Sequence, residues 1–220
     1  LGFIGSHTAV ELLEKGHEVV IADNLSNSKI EVLDKIKKIT GKEASFYKID
    51  VCDEKALENV FEENKDIFGV IHFAGYKAVG ESVAKPLMYY ENNLISTFNL
   101  LKVMQKYGCK NIVFSSSATV YSPKNVMPLT EEANLEASNP YGRTKLFNEY
   151  ILKDFQKVNP EFNVVLLRYF NPIGAHESGL LGEDPNGIPN NLMPYICKVA
   201  VGELDHLNVF GNDYKTKDGT

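Results

Sequence analysis

Residues 2–23 read Gly2-Phe-Ile-Gly5, then Ser6-His-Thr-Ala-Val-Glu-Leu-Leu-Glu-Lys15, then Gly16-His17, and finally Glu18-Val-Val-Ile-Ala-Asp23. A glycine turn, an amphipathic run, a glycine stop and a β-branched run closed by an acid predict a turn, a helix over Ser6–Lys15 and a buried strand. Glycines just ahead of a helix let the backbone approach a pyrophosphate, whose charge the helix N-terminus attracts. Asp23 ends the following strand, where a carboxylate hydrogen-bonds the adenosine ribose hydroxyls and so selects NAD over NADP. Each part is weak alone. Gly2 and Gly5 also fit a plain strand–helix turn, and Asp23-Asn-Leu-Ser26 also reads as a solvated turn. Taken together they predict a dinucleotide-binding half-domain.

Outward from this stretch the same alternation continues. Strands are expected at Phe46–Ile49, Phe68–Phe73, Asn111–Phe114 and Val164–Leu167. Helices are expected over 29–39, 54–63, 86–107 and 140–158, the third stopped by Gly108. Strand–helix alternation at this spacing argues for an α/β fold, a Rossmann-type doubly wound parallel sheet with helices on both faces. Asp50-Val51 and Phe73-Ala-Gly-Tyr76 follow predicted strands, at the edge where such sheets hold ligands. From about Asn171 the composition turns to Pro, Gly and Asn, with one short helix near Leu192–Val201. Residues 1–168 are therefore expected to be the NAD-binding domain, its first strand missing, and 169–220 the start of a smaller, truncated substrate-binding lobe. The chain opens at Leu1 rather than a methionine and reads as a fragment lacking both ends.

Composition narrows the class further. With 44% hydrophobic and 24% charged residues, the 220-residue chain can bury a sizeable core. Its 23 Lys+Arg against 29 Asp+Glu give a net charge of −6, the wrong balance for a nucleic-acid binder. No apolar run approaches the roughly 20 residues needed to cross a bilayer, and no segment resembles a signal peptide. Cys52, Cys109 and Cys197 are far apart and read as reduced, buried thiols of a cytoplasmic protein. His7, His17, His72, His176 and His206 form no ligand spacing, so no metal is expected.

A sharper constellation lies downstream. Ser115-Ser-Ser117 ends one predicted strand, and Tyr141-Gly-Arg-Thr-Lys145 opens a helix after Pro140. Positions i and i+4 share a helix face, so Tyr141 and Lys145 can point into one site. A phenol with a pKa near ~10 is a poor base at neutral pH. A nearby ammonium, helped by a nicotinamide cation, stabilises phenolate and brings that value toward the working range. A serine hydroxyl from the strand end can hold the reacting oxygen. The bland alternative is an exposed Tyr and a surface Lys on a helix whose core face is Phe147, Ile151 and Phe155.

With these residues the chain resembles the extended short-chain dehydrogenase/reductase superfamily, and within it the UDP-glucose 4-epimerase family. The longer matching stretches are Gly2-Phe-Ile-Gly-Ser-His-Thr8, Asp23-Asn-Leu-Ser-Asn-Ser28 and His72-Phe-Ala-Gly-Tyr-Lys-Ala-Val-Gly-Glu-Ser82. They continue with Ser115-Ser-Ser-Ala-Thr-Val-Tyr121, Leu167-Arg-Tyr-Phe-Asn-Pro172, Gly187-Ile-Pro-Asn-Asn-Leu-Met-Pro194 and Phe210-Gly-Asn-Asp-Tyr214. Ser122 follows Tyr121 where the family commonly shows Gly, a tolerable loop departure. The resemblance implies interconversion of UDP-glucose and UDP-galactose through a 4-keto intermediate, with tightly held NAD, in galactose metabolism. It assigns Tyr141 as the base, Lys145 as its pKa partner and ribose anchor, and Ser117 to the sugar 4-oxygen. It places Gly2, Phe3, Ile4, Gly5, Asp23, Asn24, Leu25, Ser26, Asn27 and Ser28 on NAD. Asp50, Val51, Phe73, Ala74, Gly75, Tyr76, Lys77, Asn92 and Phe170 join them, with Ser117, Tyr141 and Lys145. Asn171, Asn191, Leu192 and a strand Asn208-Val209-Phe210 would line the UDP-sugar site beside Ser117 and Tyr141. A homodimer through the helices 86–107 and 140–158 is also implied.

Three rival readings stay open at this point. A sugar-nucleotide 4,6-dehydratase needs an extra acid/base pair, usually Asp-Glu, directly after the strand-end hydroxyl; here Ala118-Thr119 follows Ser117. A non-catalytic NAD-binding protein predicts erosion of Ser117, Tyr141 or Lys145, and all three are present. A simple alcohol dehydrogenase keeps the three but has no need of the later motifs.

Overall fold

Five short parallel strands and seven helices alternate in the computed structural model, which describes residues 1–187 and 189–219. Ile188, inside the Gly187–Pro194 motif, and Thr220 lie outside the described residues. The order is α1 (Phe3–Glu14), β1 (Val20–Ala22), α2 (Val32–Thr40), β2 (Ser45–Tyr47), α3 (Glu54–Glu63) and β3 (Gly69–His72). Then come α4 (Val79–Ala84), α5 (Pro86–Tyr107), β4 (Asn111–Ser117), a 3-10 turn at Ala118–Val120, α6 (Pro140–Val158), β5 (Asn163–Tyr169) and α7 (Leu192–Ala200). β1 pairs with β2, and β3, β4 and β5 pair in that order, every pair parallel. The expected doubly wound α/β arrangement is borne out.

Helix ends follow local chemistry. Asp53 caps α3 by accepting from the Ala56 N–H, and Asn139 caps α6 by accepting from the Gly142 N–H. Pro86 and Pro140 open α5 and α6, where the missing N–H costs nothing. Gly108 ends α5 at φ 74°, a left-handed turn that a Cβ would strain. The spans expected at 54–63, 86–107 and 140–158 are the spans observed. α4 escaped the sequence reading because it is one short turn with no stripe long enough to show periodicity. β4 runs three residues past its apolar part because Ser115, Ser116 and Ser117 pair with Leu167, Arg168 and Tyr169.

Two apolar clusters lie on the strands. One gathers Leu57, Phe61, Leu100, Met104, Ile112, Phe114 and Leu152 from α3, α5, β4 and α6. The other gathers Ala9, Val10 and Leu13 from α1, Ile36 from α2 and Leu1 from just before α1. Leu181, from the segment after β5, completes this second cluster at 4% exposure. Beyond it Asp184 pairs with Lys29 at 2.6 Å, and Asn186 donates to Asn27 Oδ1 at 3.1 Å.

Two expectations need correction. Asn208–Phe210 is not a strand; the segment is exposed, and no described strand lies beside it to complete the backbone pairing an extended chain requires. The cysteines are not uniformly buried: Cys109 is, Cys52 is half-buried and Cys197, on the outer side of α7, is exposed.

Candidate active site

Nearly every residue singled out from the sequence sits just past the C-terminal end of a strand or at the start of the following helix. Gly2 is the N-cap of α1, and Phe3, Ile4 and Gly5 form its first turn. No side chain caps that turn, so its N–H groups are free to meet an anion. Gly5 faces β3: a Cβ built on it would lie 3.7 Å from Phe73 Cδ2, which puts the α1 turn beside the Phe73–Lys77 loop.

Asp23 follows β1 and organises the loop Asn24–Ser28. Its Oδ1 accepts from the Leu25 N–H at 2.8 Å and the Ser28 hydroxyl at 2.9 Å. Asn24 donates to Asp50 Oδ2 at 3.2 Å, joining the ends of β1 and β2. Asp50 Oδ1 accepts from the Cys52 N–H at 2.8 Å, so this acid also braces its own turn.

The loop after β3 is held by a residue the sequence reading missed. Buried Asn93 accepts from the Tyr76 N–H at 2.8 Å and donates to the Tyr76 carbonyl and to Thr144 Oγ1, both at 3.0 Å. Gly75 passes it at φ 151°, with a built Cβ only 3.1 Å from Asn93 Oδ1. Asn92 donates to the same oxygen at 2.9 Å. The signal was present as an amide doublet, Asn92-Asn93, one turn or more inside α5.

Tyr141, Lys145 and Ser117 come together where α6 starts over the end of β4. All three are buried. Lys145 Nζ lies 6.0 Å from the Tyr141 ring centre and 5.0 Å from that of Phe114, and donates to the Ser115 carbonyl at 2.7 Å. Burial pushes the Tyr141 phenol up, opposed by the Ser117 hydroxyl beside it. Burial likewise pulls the Lys145 ammonium down to about 8. The expected lowering of the phenol is thus absent from the protein groups alone, since both charged forms pay for desolvation here. Ser117 Oγ accepts from Thr119 Oγ1 at 2.9 Å and from the Thr119 N–H at 3.2 Å, leaving its own proton to donate. His72, fully enclosed and 3.3 Å from Thr97 Oγ1, is kept neutral: burial, then the Lys145 charge, lower it to about 3.

The later candidates are more open. Phe170 and Asn171 lie just past β5 and are exposed. Asn191 stands at the N-cap position of α7 but turns its side chain to Glu183 Oε1, to which it donates at 2.5 Å, while Leu192 beside it is exposed. Lys77 reaches the same Glu183 oxygen at 3.5 Å, so one carboxylate joins the β3 loop to the start of α7. Asn208, Val209 and Phe210 are exposed to solvent. Among the described residues no cluster of three or more His, Cys, Asp or Glu is arranged for a metal, and no helix is long and apolar enough to cross a membrane.

The family model described as GDP-mannose 4,6 dehydratase matches residues 1–220. The chain belongs to that family. Relatives within it are more specific. A UDP-glucose 4-epimerase of Bacillus subtilis is 62% identical over 219 residues, covering 100% of this chain and 64% of that protein. The crystal structure of UDP-glucose 4-epimerase from Bifidobacterium longum in complex with NAD+ and UDP superposes with a TM-score of 0.96 at 58% identity, covering 100% of this chain and 65% of the other. The UDP-Glc/GlcNAc 4-epimerase of Campylobacter jejuni matches with a TM-score of 0.82 at 36% identity over 100% of this chain and 65% of its own. The chain therefore spans 64% of the length of the B. subtilis relative. The resemblance read from the motifs is borne out.

Proposed function

We propose that the protein to which this chain belongs is an NAD-dependent UDP-glucose 4-epimerase, interconverting UDP-glucose and UDP-galactose in galactose metabolism. The observation that carries the reading is the convergence of Tyr141, Lys145 and Ser117 at the end of β4, next to a helix start with uncapped amides. Ala118 and Thr119 follow Ser117, so the acid/base pair that a dehydration requires has no counterpart there despite the name of the family model.

The residues present fit NAD. The uncapped amides of Phe3, Ile4 and Gly5 would take the pyrophosphate, and Asp23 the adenosine ribose. The loops Asn24–Ser28, Asp50–Val51 and Phe73–Lys77, with Asn92 and Phe170, would line its remainder. When bound, NAD supplies the acceptor and donor of hydride at the sugar C4. The chain's own part is proton handling and positioning. Tyr141 as phenolate takes the 4-hydroxyl proton and later returns it, Ser117 donates to the 4-oxygen, and Lys145 contributes positive charge near the phenol and anchors a ribose. Between the two proton transfers the 4-keto sugar turns over in the pocket. Asn171, Asn191, Leu192 and Asn208–Phe210 would hold the UDP-sugar, within a lobe that begins at 169 after an NAD domain over 1–168.

A homodimer through α5 and α6 is part of the proposal. Ile95, Phe98, Phe147 and Tyr150 leave apolar surface on these two helices, which carry a groove of about 550 Å³ between them. The three unpaired thiols favour a cytoplasmic location.

The test uses the full-length parent, purified without added cofactor. NAD should co-purify, and UDP-glucose and UDP-galactose should interconvert without net release of reduced cofactor. Tyr141→Phe should abolish conversion while NAD stays bound. Conversion surviving in that variant would remove Tyr141 as the base. NAD without conversion would move the substrate to other sugar nucleotides, UDP-N-acetylglucosamine first. Absence of both would overturn the reading.

A further inference from the structure

Beneath the Tyr141–Lys145–Ser117 group lies a second buried polar cluster, made by Ser116, Glu149 and Arg168. Glu149, on α6, is fully buried. Its Oε1 accepts from the Ser116 hydroxyl at 2.5 Å and from Arg168 Nε at 3.0 Å, and its Oε2 from Arg168 Nη2 at 2.8 Å. Lys153 Nζ stands 3.8 Å from Oε2 on the solvent side. Arg168 Nη1 donates to the Tyr121 hydroxyl at 3.1 Å and the Glu131 carbonyl at 2.9 Å, with the guanidinium 4.9 Å from the Tyr121 ring centre. Three elements meet at one carboxylate, α6, β4 and β5, and Arg168 ties the segment after β4 to them.

Stability alone is a poor reason for this cluster, because a buried ion pair roughly breaks even against an apolar replacement. Its register is more telling. Tyr141, Lys145 and Glu149 occupy i, i+4 and i+8 of α6 and so form one stripe. Each member meets the end of β4: Tyr141 at the Ser117 hydroxyl, Lys145 at the Ser115 carbonyl and Glu149 at the Ser116 hydroxyl. The first two contacts belong to the chemistry. The third touches neither reacting atom nor cofactor, and Arg168 holds it from β5.

We propose that Glu149, gripped by Arg168 and Ser116, is a positioning residue that fixes the rotation and height of α6 on β4 and thereby the placement of Tyr141 and Lys145 against Ser117. This rests on the epimerase reading for the role of Tyr141. A bidentate guanidinium–carboxylate pair suits the task, since its planar geometry allows one relative orientation. Reacting groups misplaced by about 1 Å can lose ~10²-fold in rate, so a pin of this kind acts on turnover rather than on binding.

The deciding variant is Ser116→Ala in the full-length holoenzyme. It removes one hydrogen bond and leaves Glu149 paired with Arg168, so the fold is retained. Turnover should fall roughly tenfold or more with KM for the UDP-sugar and co-purified NAD unchanged. The acid limb of the kcat profile should move to higher pH, because a displaced Lys145 stabilises phenolate less well. Ser116→Thr, which keeps the hydroxyl, should restore both. Unaltered kcat and pH profile in Ser116→Ala would overturn the proposal, and so would a loss confined to KM or NAD content. The phenolate titration of Tyr141, taken as the ultraviolet difference between the parent and Tyr141→Phe, should shift in the same direction in Ser116→Ala. That readout needs no turnover. A parent that fails to epimerise therefore overturns the functional reading by itself, while an unmoved titration overturns the pin.

Discussion

Lys145 spends its side-chain hydrogen bond on a backbone oxygen: Nζ donates to the Ser115 carbonyl at 2.7 Å and holds no carboxylate. The ammonium is therefore buried without a counter-ion, and burial brings its pKa down to about 8. In the unfolded chain it returns to the ordinary lysine value of 10.5. Between these two values the unfolded state binds the extra proton, so stability rises with pH across that window. Lys145→Met should remove this rise and make the protein more stable below pH 8 by roughly 1–2 kcal/mol, the lost Ser115 contact offsetting part of the gain. It should also abolish conversion. Paired thermal melts and activity assays from pH 7 to about pH 10, covering most of the window below the ordinary lysine pKa, test this. A variant less stable at every pH would contradict it.

Gly142 is where α6 touches the turn after β4. A Cβ there would sit 2.8 Å from the Thr119 carbonyl, 3.2 Å from Ala137 Cβ and 3.3 Å from Thr119 Oγ1. Backbone must move to admit it, and Thr119 carries the hydrogen bonds that orient Ser117. Gly142→Ala should cost about 1–3 kcal/mol by overpacking and lower kcat more than it raises KM. Denaturant melts and steady-state kinetics on one preparation would separate the two effects.

Removing the Asn93 amide leaves the Tyr76 N–H and carbonyl without their partner on α5. Asn93→Leu, near in volume, should destabilise the protein by roughly 2–4 kcal/mol, since several partners lose their bonds together. The freed loop should bind NAD more weakly, seen as a lower ratio of co-purified cofactor to protein. A variant that melts lower yet keeps a full complement of NAD would separate the loop from cofactor retention.

Acid should weaken the protein partly through Glu149. Burial favours its neutral form, but the Arg168 and Ser116 hydrogen bonds prevail and keep its pKa below the ordinary 4.5. Its contribution is thus fully present above the unfolded value and is lost as pH falls through the lower, folded one. Glu149→Gln should show a shallower loss of stability on acidification than the parent, from a lower starting point at neutral pH. Equal slopes below the ordinary carboxylate value would contradict that assignment.

The sequence disclosed what depends on period and punctuation. Spans 54–63, 86–107 and 140–158 were readable because a cap or Pro stands at their starts and the apolar stripe is long enough to show its period. The catalytic candidates were readable because Tyr141 and Lys145 share a local helix and Ser117 closes a strand. Glu149 and Arg168 were not, since a buried acid on α6 finds its cation only when β5 is laid beside β4. Asn93 was hidden for the same reason: its partners come from the β3 loop and from α6. The strand that the resemblance implied at 208–210 is missing because no described strand lies beside it to complete the backbone pairing.

Leu181 closes the apolar cluster under α1 and α2, and the ion pair Lys29–Asp184 just beyond it spans 155 positions of chain. During synthesis from the N-terminus, α1, β1 and α2 thus emerge with one side of their core uncovered and stay so until the segment after β5 arrives. Strand pairing closes shorter loops in both sheets, Val20 to Ser45 in one and Gly69 to Asn111 to Asn163 in the other, at a smaller entropic cost. The seal on α1 and α2 closes a far longer loop than any strand pairing, so it should form after both sheets have paired.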